Sequence, residues 1–83
     1  LIGLRFDLTD ECTLGRAAGC QVTLDDTYAS QVHARVFRRD GQFYIEDLGS
    51  TNGTWLNRAK VTGPLEVQRG DQIQIGNTVL EVA

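Results

Sequence analysis

His33-Ala34-Arg35-Val36-Phe37-Arg38 and Gln42-Phe43-Tyr44-Ile45-Glu46 stand on either side of Asp40-Gly41. Aspartate and glycine both tolerate positive φ, so the pair is a strong signal for a two-residue hairpin turn joining two strands. The same pattern extends outward in both directions. Leu4, Phe6 and Leu8 alternate with Arg5 and Asp7, a short segment ends at Leu14, and another covers residues 21–24. Downstream, residues 54–57 form a short segment, and residues 72–75 and 78–82 flank Gly76-Asn77, a second two-residue hairpin. No window keeps apolar residues at helical spacing, so no helix is expected. Pro64, the only proline, follows Gly63 in a loop. Many short strands between turns predict an all-β, antiparallel sandwich or small barrel. The last strand is free to pair with the first and bring the termini together.

Length and charge narrow the function classes. A chain of 83 residues has room for one domain. The opening Leu1-Ile2-Gly3-Leu4 is too short for a membrane span or a signal segment, and Arg5 and Asp7 interrupt it. The formal net charge is -3. That sign is wrong for a protein gripping nucleic acid through phosphates or lying on an anionic membrane, so neither partner is expected. Two cysteines do not make a disulfide framework. Cys12 and Cys20 read as small apolar side chains, and a Cys12/Cys20/His33 metal site fits no zinc spacing. No metal or other cofactor is expected.

The longest connections carry the chemistry. Residues 15–19, 25–31 and 47–53 are polar and glycine-rich, and loops on a rigid scaffold are where binding residues usually sit. Gly15-Arg16 ends a strand, Ser30 and His33 stand at a loop-to-strand junction, and Gly49-Ser50-Thr51-Asn52-Gly53-Thr54 is dense in hydroxyls. One guanidinium, several hydroxyls and backbone N–H groups freed by glycine suit a tetrahedral oxyanion.

Four pieces, Leu14-Gly15-Arg16, Ser30-x-x-His33, Asp47-Leu48-Gly49-Ser50-Thr51-Asn52-Gly53-Thr54 and Gly70-Asp71-x-Ile73-x-Ile75-Gly76, occur in order with the spacing of a complete small domain. Together they resemble the forkhead-associated (FHA) domain. The resemblance implies an FHA-like antiparallel β-sandwich of about eleven short strands that binds phosphothreonine peptides at one end and is no enzyme. By matching position, Arg16, Ser30 and Thr51 would contact the phosphate, and Asn52 the peptide main chain. Gln31, where many members carry arginine or asparagine, would face the phosphate side of the peptide. Gly15, His33, Gly53 and Thr54 would support the site, His33 as an internal brace between loops. The partner implied is a phosphothreonine protein, such as a Ser/Thr kinase or its substrate. Asp25-Asp26-Thr27-Tyr28-Ala29-Ser30 and Arg58-Ala59-Lys60-Val61 resemble bacterial, especially actinobacterial, members tied to cell-wall synthesis or division. By that likeness residues 1–83 are one domain excised from a longer cytoplasmic protein, which other parts can hold at the inner face of the membrane.

Two other function classes compete. Ser30, His33 and Asp47 can be cast as a hydrolase triad, but no Gly-x-Ser-x-Gly elbow exists and the sole histidine is needed as a brace. A phosphate-independent module would meet its partner on a sheet face, whereas this chain retains Arg16, Ser30, Thr51 and Asn52. Tyr28 and the Ala17-Ala18-Gly19 loop are candidates to line a subsite beyond the phosphothreonine, and Trp55 reads as a core or sheet-face side chain and not a ligand stacker. Arg35, Arg38 and Arg39 read as a solvated face. Arg58 and Lys60 are expected at the opposite end from the phosphate site, about 13 Å away at strand rise, leaving Arg16 as the one close positive charge.

Overall fold

In the computed structural model, which describes residues 2–83, Asp40 and Gly41 hold φ values of 52° and 79°. Leu1 of the opening run lies outside the described residues. Two positive φ values make the type I′ turn, whose twist matches the strands it joins. Those strands are β4 (Ala34–Arg39) and β5 (Gln42–Asp47), antiparallel with Arg39 opposite Gln42. β2 (Glu11–Gly15) lies antiparallel to β4, with Leu14 opposite Ala34 and Cys12 opposite Val36. β3 (Val22–Thr23) and β8 (Leu65–Val67) complete a sheet of order β3-β2-β4-β5-β8.

The second sheet has the order β1-β10-β9-β6-β7, built from β1 (Ile2–Phe6), β6 (Trp55–Leu56), β7 (Ala59–Lys60), β9 (Gln72–Ile75) and β10 (Thr78–Val82). Gly76, with φ 60°, holds the first central position of the β9–β10 turn, the position that glycine takes in a type II′ hairpin. Leu14, Val36 and Ile45 of the first sheet join Ile73, Ile75 and Leu80 of the second in one cluster closed to solvent. Burying each of these side chains contributes about 1.5–3 kcal/mol, and alternation along the strands places them on the inner faces. Cys12 and Cys20 are free thiols in buried positions, and burial pushes the Cys12 thiol above its ordinary value, with Cys20 adding to the effect.

The sandwich is all-β as expected, and its terminal strands do pair. Its sheets are mixed, however: β1 runs parallel to β10, and β2 parallel to β3. Period-two alternation assigns faces and carries no strand direction, so this was not foreseeable from spacing. Ten strands are described against about eleven expected. β7 and β8 went unread because two or three residues cannot display an alternation. β6, the partner of β7, is shorter than residues 54–57, and Leu8 lies beyond β1, half-buried against the core.

Candidate functional site

Gly15 ends β2 where the chain passes closest to the loop of residues 25–31. A Cβ on Gly15 would collide with the carbonyl oxygen of Gln31, an approach no side chain tolerates. Glycine at this point lets the two backbones lace together: the N–H groups of Arg16 and Ala17 donate to the carbonyls of Ser30 and Gln31, both at 3.0 Å. Leu24 N–H donates to Gly15 O at 2.7 Å, and His33 N–H to Leu14 O at 2.8 Å. The exposed Arg16 side chain is thereby fixed at its root beside Ser30.

His33 has no exposed surface, and both of its ring nitrogens are engaged. Nδ1 accepts the backbone N–H of Ser30 at 2.9 Å, which leaves the ring proton on Nε2 to be donated to the carbonyl of Gly53 at 2.8 Å. One imidazole thus ties the second loop to the third. Ser30 Oγ accepts the Thr51 N–H at 3.2 Å, a second tie between the same loops. A third runs from Asn52 Nδ2 to the carbonyl of Tyr28 at 2.8 Å.

Beneath the third loop, Asp47 organises the turn. Its carboxylate accepts the Ser50 N–H at 2.8 Å, the Ser50 hydroxyl at 2.5 Å and the buried Thr54 hydroxyl at 2.7 Å. Burial works to raise its pKa, but these hydrogen bonds and the nearby His33 outweigh it, holding Asp47 below the ordinary carboxylate value. Ser50 Oγ also accepts the Gly53 N–H at 2.9 Å. Gly53 adopts φ 92°, and a Cβ there would meet the Trp55 ring at 3.0 Å. Asp26 does similar work for the second loop, accepting the N–H groups of Tyr28 and Asn77 and the Thr78 hydroxyl, each at 2.8 Å. The Thr78 and Tyr28 bonds are the main reasons its carboxyl lies below the ordinary value.

The outcome is a concavity of about 390 Å³ at the loop end, lined by Arg16, Thr27, Tyr28, Ala29, Ser30, Gln31, Thr51 and Asn52. It brings together all five residues expected to contact a ligand, with Gly15, His33, Gly53 and Thr54 beneath or behind them. No carboxylate lines it, so a guanidinium and neutral donors face an incoming anion without a competing charge. Of the two candidate subsite segments, Tyr28 is present and the Ala17-Ala18-Gly19 loop is not.

Several expectations need correcting. Lys60 pairs across the hairpin with Trp55, because the β6–β7 turn doubles back after Leu56. Its Cε would lie 3.5 Å from a Cβ on Gly53, so Lys60 stands near the loop end and not opposite it. Arg58, although in the turn, shares a groove with Asn52 and Tyr28. Nor is Arg35 simply solvated: it pairs with Glu46. The triad of Ser30, His33 and Asp47, already argued against from the sequence, is not assembled as a relay, since His33 holds the Ser30 backbone and Asp47 is taken up by Ser50 and Thr54. Among the described residues, no three His, Cys, Asp or Glu side chains cluster to hold a metal. Asp47 and Ser50 were legible as motif letters but not as struts. Asp26 carried no signal beyond its place in a polar run.

A two-sheet sandwich with a carboxylate-free concavity between loops at one end is the architecture of a small interaction module. The chain belongs to the FHA family: the model of the FHA domain matches residues 12–76. It is 47% identical over 83 residues to the FHA domain-containing protein FhaB of Mycobacterium tuberculosis, an alignment covering 99% of this chain and 54% of FhaB. The chain therefore spans about half the length of that relative. A crystal structure of the FhaA FHA domain complexed with the intracellular domain of Rv3910 matches with a TM-score of 0.80 and 31% identity, covering 89% of this chain and 81% of that one. The N-terminal FHA domain of S. cerevisiae Rad53p, solved with a phosphothreonine peptide, matches with a TM-score of 0.71 and 34% identity, over 80% of this chain and 56% of that one. Among the described residues no helix is long and apolar enough to cross a membrane.

Proposed function

We propose that this domain docks phosphothreonine-bearing protein segments in Ser/Thr-kinase signalling, reading the phosphate in the loop-end concavity. Arg16 supplies the charge and a fork of N–H donors, and the Ser30 and Thr51 hydroxyls add directional bonds. Asn52 keeps its Oδ1 and one amide hydrogen for the peptide main chain while the other holds Tyr28, and Gln31 flanks the phosphate. The observation that carries this reading is the convergence of Arg16, Ser30, Thr51 and Asn52 on one concavity that has no carboxylate in its wall. Its work is non-catalytic. Residues 1–83 act as one domain of a longer bacterial protein in the cytoplasm, or at the inner face of the membrane through other segments, in signalling that touches cell-wall synthesis and division. Capture from untreated and phosphatase-treated bacterial lysate, with wild type and Arg16→Ala, tests that setting.

The mechanism is tested by titrating a phosphothreonine peptide and its unphosphorylated twin. Charged hydrogen bonds contribute about 1.5–3 kcal/mol each, so Arg16→Ala is expected to weaken phosphopeptide binding by about 10- to 150-fold. The unphosphorylated peptide should bind neither protein. Undiminished binding by the variant would overturn the reading and move the partner to a sheet face.

A further inference from the structure

Asp26 stands near the start of the second loop, outside the wall of the concavity. It is nonetheless nearly closed to solvent, at 8% exposure. Taking a carboxylate out of water is unfavourable unless donors meet its oxygens, and here three do. Oδ1 accepts the Tyr28 N–H, and Oδ2 accepts the Asn77 N–H and the buried Thr78 hydroxyl. Tyr28 belongs to the same loop, whereas Asn77 and Thr78 belong to the β9–β10 hairpin. The hairpin turn leaves room for the carboxylate, since a Cβ on Gly76 would stand 2.6 Å from Oδ1 and 2.8 Å from Oδ2. One side chain thus fastens a loop that leads into the first sheet to a hairpin of the second.

The fastened segment continues to the ligand side. Asp26 O accepts the Ala29 N–H at 3.0 Å, closing a turn over residues 26–29. Tyr28, inside that turn, is held by its N–H on the Asp26 carboxylate and by its carbonyl on Asn52 Nδ2, both at 2.8 Å. Asn52 is exposed, and the bond to Tyr28 is the one that fixes its side chain among the described residues. An amide already held in place loses less freedom when a ligand arrives than one left to rotate. The chain of bonds therefore runs from the hairpin turn through Asp26 and Tyr28 to Asn52.

We infer that Asp26 is a positioning residue for peptide binding, which sets Asn52 for the peptide main chain by holding the Tyr28 carbonyl. The inference rests on the phosphothreonine reading above and places a control on the same site at the β9–β10 turn, which contributes nothing to the wall of the concavity. The two carboxylate oxygens have separate tasks, Oδ1 on the loop and Oδ2 on the hairpin. An amide in place of the carboxylate has one acceptor oxygen and one donor nitrogen, so it must forfeit either the Tyr28 or the Asn77 N–H. Either loss frees the loop from the hairpin and loosens the hold on Asn52. The Arg16 contact with the phosphate does not pass through this chain of bonds.

The test is a double-mutant cycle, read by titrating a synthetic phosphothreonine peptide with alanine flanks into variants whose folding is checked by urea denaturation. Asp26→Asn should weaken binding about three- to tenfold. In an Asn52→Ala background the same change should have no further effect, because residues acting through one another are not additive. O-Phosphothreonine, which has no flanking peptide bonds for Asn52 to hold, should bind wild type and Asp26→Asn equally. Thr78→Val removes one donor, keeps the carboxylate and should give a loss of about twofold, again absent in the Asn52→Ala background. That variant carries the test if Asp26→Asn does not fold. Full affinity in both variants, an equal loss with and without Asn52, or a loss that extends to O-phosphothreonine overturns the role of Asp26 while phosphate-dependent binding stands. Absence of phosphopeptide binding by wild type overturns the phosphothreonine reading, and the Asp26 assignment with it.

Discussion

Arg35 and Arg38, on the β4–β5 hairpin, and Arg16 and Arg58, at the loop end, are the same residue type in opposite settings. Arg35 Nε meets Glu46 at 2.8 Å, its Nη1 lies 3.8 Å from Glu11, and its guanidinium sits 4.2 Å over the Phe37 ring. Phe37 in turn stacks on Tyr44, and Arg38 pairs with Asp10 at 3.0 Å. Arg16 and Arg58 have no ion pair among the described residues, and each lines a concavity without a carboxylate. Arg35 and Arg38 satisfy their charge on carboxylates in or next to the sheet that carries them, whereas the exposed Arg39 has no ion pair among the described residues. The loop-end arginines have no such partner among the described residues, as the proposed phosphate contact of Arg16 requires. The loop end can leave its cations unpaired because other groups hold its loops: His33, Asp47 and Asp26, with Gly15 at the close approach. The negative net charge is compatible with the proposed anion site, since selectivity needs one well-placed guanidinium and neutral donors, not a basic surface.

The largest effect should come from removing the central strut. His33→Ala leaves the Ser30 N–H and the Gly53 carbonyl without partners and opens a cavity between loops, with an expected loss of about 2–4 kcal/mol. Urea denaturation measures it. A loss below about 1 kcal/mol would mean that the loop end is held some other way, and the contrast between struts and free cations would fail.

Acid should act on the same struts to a smaller degree. The carboxyls of Asp26 and Asp47 are both held below their ordinary values in the fold. Each therefore adds stability above the unfolded-state value, near pH 4, and that stability drains away as pH falls through the lower folded-state value. Stability measured from pH 6 to pH 2 should fall through this window, and Asp47→Asn should flatten part of the fall. An unchanged pH profile in the variant would remove Asp47 from the set of struts.

How much of this could be read in the letters depends on what kind of information a residue carries. Asp40-Gly41 announces its turn because few residues accept two consecutive positive φ values, whereas Asn57-Arg58 makes the same turn without an equivalent signal. Alternation reveals which face Leu14 and Ile73 occupy but not that β1 runs parallel to β10, because direction leaves no trace at period two. Ser50 and Thr51 are adjacent hydroxyls in one motif. Only the fold turns the first down onto Asp47 and leaves the second exposed in the concavity. Lys60 lies near the loop end because the β6–β7 hairpin brings the chain back, a reversal that strand length alone does not reveal.

The smallest effect sharpens the contrast most. Arg35 is about one-third exposed, and its pair with Glu46 lies at the surface, where such contacts contribute up to about 1 kcal/mol. Arg35→Ala should therefore lower stability by about 0.5–1 kcal/mol, part of it from lost cover over Phe37, and leave phosphopeptide affinity unchanged. Arg16→Ala should show the mirror image, with stability within about 0.5 kcal/mol of wild type and affinity sharply reduced. Parallel denaturation and titration of the two variants decide the matter. If Arg35→Ala weakened phosphopeptide binding as Arg16→Ala does, the hairpin arginines would belong to the ligand as well. The division between charges committed to the fold and charges held for the partner would then have to be redrawn around the whole first sheet.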